Sequence, residues 1–142
     1  MDSAGKELTI WTARVAAALY VCWIAAAIRG QHRFARIAST LALSVYLIHV
    51  WGAFQYFYQW SHAVAYRETA RQTAELFGVR WGGGLYLNYL FTAAWLADCA
   101  ASWVKPHLWR SKPTWASIVL YGFIAFMWVN ATVVVWILRA VR

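Results

Sequence analysis

Residues 37–60, IASTLALSVYLIHVWGAFQYFYQW, run for 24 positions without one lysine, arginine, aspartate or glutamate. A helix needs roughly 20 apolar residues to cross about 30 Å of hydrocarbon, so this stretch alone is long enough to span a bilayer. Three more stretches approach or exceed that length: Ile10 to Ile28, Gly84 to Val104 and Thr114 to Leu138. No water is available inside a membrane to satisfy the backbone, so each reads as a helix. The expected fold class is all-α: an integral membrane bundle of four transmembrane helices, with residues 1–142 forming a single transmembrane domain.

Composition points the same way. Hydrophobic residues make up 63% of the 142 positions and charged residues 13%, far from soluble averages of roughly 45–50% and 25%. The net charge of +8 does not point to nucleic acid, because the basic residues sit in short clusters beside the apolar spans and form no continuous stripe. Anionic lipid headgroups are the expected partner. Many of the eleven tryptophans and eight tyrosines fall near span ends, including Trp11, Tyr58, Trp60, Trp81, Tyr86 and Trp136 toward one face and Trp23, Trp103, Trp109 and Trp115 toward the other. This is an aromatic belt at two water interfaces. Trp51, Trp95 and Trp128 fall mid-span and are expected between helices. Cys22 and Cys99 lie inside spans as small apolar residues, and neither belongs to a CxxC pair. Met1 to Glu7 lacks the basic start of a cleavable signal, so the first span is expected to stay in the membrane.

The turns at 29–36 and 105–113 each carry three Lys or Arg and no acid. Four crossings put them on one face, and the positive-inside rule makes that face cytoplasmic and leaves both termini outside. The opposite face also carries six basic residues, but Asp2, Glu7, Glu68 and Glu75 dilute it. A bacterial inner membrane is the expected location.

Between the second and third spans, residues 61–77 read as a short interfacial amphipathic helix. Ser61 is a candidate N-cap and Gly78 a candidate C′ residue, while Ala63, Tyr66, Ala70, Ala74 and Phe77 recur at helical spacing. Arg67, Glu68, Arg71 and Glu75 take the other face, and such a helix lies along a membrane surface. No period of 20 to 50 residues repeats, which excludes a solenoid. Asn130-Ala131-Thr132 matches a glycosylation acceptor but stands inside a span.

Polar residues inside the spans are where a function is sought, since an ionisable group in hydrocarbon costs several kcal/mol unless it is paired or snorkelled. The candidate intramembrane polar site comprises Arg14, Tyr46, His49, Asn88, Asp98 and Asn130. Arg14 shares a stripe with Ala18, Cys22 and Ala25, small residues expected to face protein. His49 shares one with Tyr46, Gly52, Ala53 and Tyr56. It reads either as a histidine hydrogen-bonded to a tyrosine or carbonyl, or as a haem ligand with His62 as candidate second ligand. Asp98 needs a cation, with Lys105 and Arg14 the candidates. Arg80, Gly82, Gly83 and Gly84 precede the third span, where free amides beside an arginine suit an anion or lipid headgroup; hinge glycines are the plainer reading.

The stretches WSHAVAYRETARQTAE (60–75), RWGGGLYLNYLF (80–91) and WVNATVVV (128–135) together resemble a group of small bacterial four-helix membrane proteins with no assigned activity. That resemblance implies the fold and transfers no mechanism. Ser44 to His49, SVYLIH, resembles a span of membrane acyltransferases, and the rest of such a protein is absent. The expected function is a non-catalytic accessory or scaffold subunit that docks with a larger membrane complex or with its own copies. Alternatives are a haem-binding electron carrier using His49, and a proton or ion pathway through Asp98 and His49. No activated nucleophile pair or metal-binding cluster stands at usable spacing for an enzyme.

Overall fold

The computed structural model describes the backbone of residues 3–140 and side chains from residue 3 to residue 132; expectations for Asp2, Trp136, Arg139 and Arg142 lie outside the described residues. Among the described residues the chain is helical, without strands. The helices are α1 (Ser3–Ile28), α2 (His32–Ala53) continued by a π-helical turn (Phe54–Tyr58), α3 (His62–Phe77), α4 (Gly84–Val104), α5 (Pro106–Arg110) and α6 (Thr114–Ala140). The chain divides into two compact units, Met1–Ala65 and Tyr66–Arg142.

Three helical segments are long and apolar enough to cross a membrane: Ser3–Ile28, His32–Tyr58 and Thr114–Thr132. The fourth expected span is a helix of 21 residues but is not among them. Asn88, Asp98, Tyr86 and Tyr89 dilute its apolar content.

In the first unit α1 packs antiparallel-fashion back on α2 through a tight turn. Gly30 takes φ +69°, and the amides of Gly30 and Gln31 bond back to the carbonyls of Ala27 and Ala26 at 3.1 and 2.9 Å. This is a Schellman closure, which favours glycine at the left-handed position. The buried face of α1 is Gly5, Thr9, Ala16, Tyr20 and Trp23, against Ala35, Ser39, Ala42, Leu43 and Gly52 of α2. Small residues dominate this contact, which lets the two backbones approach closely. At Gly52 an added Cβ would stand 2.6 Å from Thr9 Oγ1. Mid-span Trp51 does not join this core; it is 46% exposed.

The helix of the second span ends in strain. The Gln59 amide bonds to Phe54 O in π register, and Gln59 and Trp60 both take positive φ, 49° and 57°. Two consecutive left-handed residues reverse the helical path, each at a cost of about 1–2 kcal/mol for a non-glycine. The Trp60 indole N–H donates to Gln55 Oε1 at 2.8 Å. A new helix, α3, then starts with the Val64 amide donating to Ser61 Oγ at 3.3 Å and stops at Gly78, φ +70°. The chain therefore does not run straight from α2 into α3.

In the second unit α4 buries Leu85, Phe91, Trp95, Asp98, Cys99 and Ser102. From Phe91 on, these lie at i, i+4, i+7, i+8 and i+11, one face of a helix. Ile124 and Met127 of α6 are buried as well, and Phe91 meets Phe123 edge to face at 6.5 Å. Both cysteines are free thiols, Cys22 exposed and Cys99 buried.

Candidate functional site

The densest polar constellation among the described residues lies where α4, α5 and α6 meet. Asp98 projects from the last third of α4 and its side chain is 5% exposed. Pro106 ends α4 in two ways: it disfavours helix at Lys105, which adopts φ −134° and ψ 63°, and it supplies the fixed first residue of α5. One turn of α5 then carries the chain back over Asp98. The Trp109 indole N–H donates to Asp98 Oδ1 at 2.8 Å, and the Lys112 ammonium donates to the same oxygen at 2.7 Å. Lys112 also donates to the Tyr121 hydroxyl at 2.7 Å, and that hydroxyl in turn lies 3.3 Å from Asp98 Oδ2.

Two rings complete the enclosure. The Lys112 ammonium sits 4.7 Å from the Trp109 ring centroid and 4.5 Å from that of Tyr121, inside the roughly 6 Å over which a ring face attracts a cation. A buried charge pair gains stability only when its remaining donors and acceptors are satisfied, and here three donors converge on one carboxylate. The cation expected for Asp98 is therefore present but is neither Lys105 nor Arg14. Lys105 shares a helix face with Asp98 only while α4 continues, and it is the residue at which the helix stops. Trp109, expected in the aromatic belt, is also a hydrogen-bond donor to this carboxylate.

His49 belongs to the first unit. Its Nδ1–H donates to the Thr9 carbonyl at 2.9 Å, and Thr9 Oγ1 donates to Gly5 O at 2.9 Å. A carbonyl only accepts, so in the neutral ring the proton is on Nδ1 and Nε2 keeps its lone pair. Tyr46 is brought beside it, with ring centroids 6.3 Å apart. This is the inward face expected for the Tyr46, His49, Gly52, Ala53 stripe. His62 stands exposed at the start of α3, past the reversal at Gln59 and Trp60.

The Arg14 stripe departs from expectation: Arg14, Ala18, Cys22 and Ala25 are all exposed. The buried face of α1 is the one bearing Thr9, Ala16, Tyr20 and Trp23, and the small size of Ala18, Cys22 and Ala25 carries no information about which side α2 takes. The Arg14 guanidinium lies 4.9 Å from the Trp11 ring. Asn88 and Asn130 are exposed too. Asp98 and His49 thus each find their partners within their own unit.

Arg80 is exposed, whereas Gly82 and Gly83 are buried. A Cβ at Gly82 would come within 2.6 Å of the Tyr66 carbonyl, a backbone atom that cannot turn aside. The glycines let the chain pass against α3 before α4 begins, and Tyr66 meets Tyr86 at 6.2 Å across that junction. On the outer face of α3, Arg71 bonds both Glu68 and Glu75. The Arg71 hydrogen bond holds the Glu68 carboxyl below its ordinary value, with partial desolvation opposing it.

No protein-family model, curated protein or solved structure matches the chain.

Proposed function

We propose that the chain is a four-crossing integral membrane protein that acts as a non-catalytic accessory or scaffold subunit, docking with a larger membrane complex. What carries this reading is how the polar and apolar groups are distributed. Two ionisable residues within the helices, His49 and Asp98, are engaged in contacts that hold helices together. Long apolar faces meanwhile remain uncovered: on α6 Trp115, Ile118, Val119 and Phe126 are 60–70% exposed. A soluble monomer rarely tolerates a contiguous apolar patch beyond a few hundred Å², whereas lipid or a partner helix covers such a face at no cost.

The fourth crossing is α4, whose 21 residues extend about 31 Å at 1.5 Å each. The basic turns around Gln31 and His107 then share the cytoplasmic face of a bacterial inner membrane, near anionic headgroups. Both termini lie outside, and α3 rests on the outer surface with Arg67 and Arg71 toward water. The exposed stripe Arg14, Ala18, Cys22, Ala25 is the docking face on α1, since small residues admit a partner helix. The chain purified in mild detergent is expected to come with a stoichiometric membrane partner, and Ala18→Trp is expected to release it. Recovery of the unaltered chain as a lone monodisperse monomer contradicts the proposal.

One observation favours a second reading, haem binding at His49. A ligating imidazole commonly donates its other N–H to a carbonyl, and Thr9 O receives that bond here. Purified protein supplied with haem should then develop a Soret band that His49→Ala abolishes. A colourless preparation under the same conditions removes this reading.

A further inference from the structure

The α4 helix carries a carboxylate six residues from its C-terminal end, about 9 Å into the helix at 1.5 Å per residue, and it is not among the three segments long and apolar enough to cross a membrane. Everything that offsets this carboxylate comes from later in the chain. Trp109 lies in α5, Lys112 in the turn between α5 and α6, and Tyr121 on the second turn of α6. Trp109 and Lys112 reach Asp98 only once the chain has turned after α4, and Tyr121 only once α6 is beside it. We propose that α4 enters the membrane only as one half of an α4–α6 hairpin, with Lys112 and Tyr121 neutralising and hydrogen-bonding Asp98 as the pair goes in.

The geometry fits this role better than that of a surface ion pair. Lys112 is 20% and Asp98 5% exposed at the side chain, so solvent screens the pair little. The ammonium uses one N–H on the carboxylate and one on the Tyr121 hydroxyl, and the two ring faces cover its flanks. A lysine stem also places its charge toward the headgroups while its methylenes stay in the apolar layer. Lys112 stands at the start of α6, between Ser111 and Pro113, where the chain re-enters a helix. The α6 segment, itself long and apolar enough to cross, would then carry its carboxylate-bearing neighbour across.

The inference rests on the four-crossing reading, and one experiment on the full-length chain separates the two. In a background with Cys22 and Cys99 replaced by alanine, single cysteines at Val79 and His107 are labelled with an impermeant maleimide on intact and on permeabilised cells. In the otherwise unaltered chain, Val79→Cys should label from outside and His107→Cys only after permeabilisation. Labelling of His107→Cys from outside in that chain defeats the four-crossing reading itself. Given the expected pattern, Lys112→Gln should raise outside labelling of His107→Cys severalfold, and adding Asp98→Asn should return it to the starting level, because a neutral side chain at 98 needs no cation. Full protection of His107→Cys in the Lys112→Gln chain overturns the inference. If the Lys112→Gln chain is degraded, recovery of its level by Asp98→Asn supports the proposal and failure to recover counts against it.

Discussion

At Gly52, Thr9 and His49, three side-chain choices fix how closely α1 and α2 approach. Thr9 occupies the space a Cβ at position 52 would need, its hydroxyl is turned back to Gly5 O, and its carbonyl takes the His49 proton. Gly52→Ala is expected to cost about 1–3 kcal/mol, the usual range for overpacking a tight contact. In a Thr9→Ala background the cost should shrink, because the obstructing Oγ1 is gone. Thermal unfolding of the four chains in detergent measures the coupling, and an unchanged Gly52→Ala penalty without the threonine hydroxyl would refute this account. The requirement for such contacts was legible in the sequence at both ionisable groups: a histidine on a small-residue stripe and an aspartate in an apolar helix each demand a partner. Their identity was not. Thr9 contributes a backbone atom, which sequence does not distinguish, and Lys112 reaches Asp98 across a turn in which no helical spacing holds.

Among the elements, α3 was the most legible, because its caps and its two faces use local chemistry. The Ser61 cap, the Gly78 stop and the Arg71 pairs all depend on residues within four positions of one another. The reversal before it was not legible, since Gln59 and Trp60 carry no glycine or proline to announce a left-handed turn. The charge cluster gives α3 a definite pH response. The Glu68 carboxyl is held below its ordinary value of 4.5, so its contribution is complete above that value and is lost as the pH falls through the lower folded-state value. Both side chains of the pair are substantially exposed, so the effect is only about 0.3–0.5 kcal/mol. Hydrogen exchange of the α3 amides, corrected for intrinsic rates, should therefore show slightly weaker protection at low pH than at neutrality. Arg71→Leu should flatten the difference, and a pH response that survives this substitution would mean another group is responsible.

Among the described residues, three helical segments are long and apolar enough to cross a membrane and α4 is not one of them. The four expected spans are long apolar stretches of roughly 20 residues, and α4 keeps that length. Its polar residues divide: Asp98 is buried and engaged, while Asn88 is exposed. The exposed apolar faces of α1 and α6 belong to segments long and apolar enough to cross a membrane. The account therefore depends most on the number of crossings. Accessibility of single cysteines at Gln31, Val79 and His107 to an impermeant reagent on intact and permeabilised cells reports it most directly. Gln31 and His107 should react only after permeabilisation, and Val79 from outside. Val79 and His107 reacting from the same face would leave α4 outside the membrane and contradict the account.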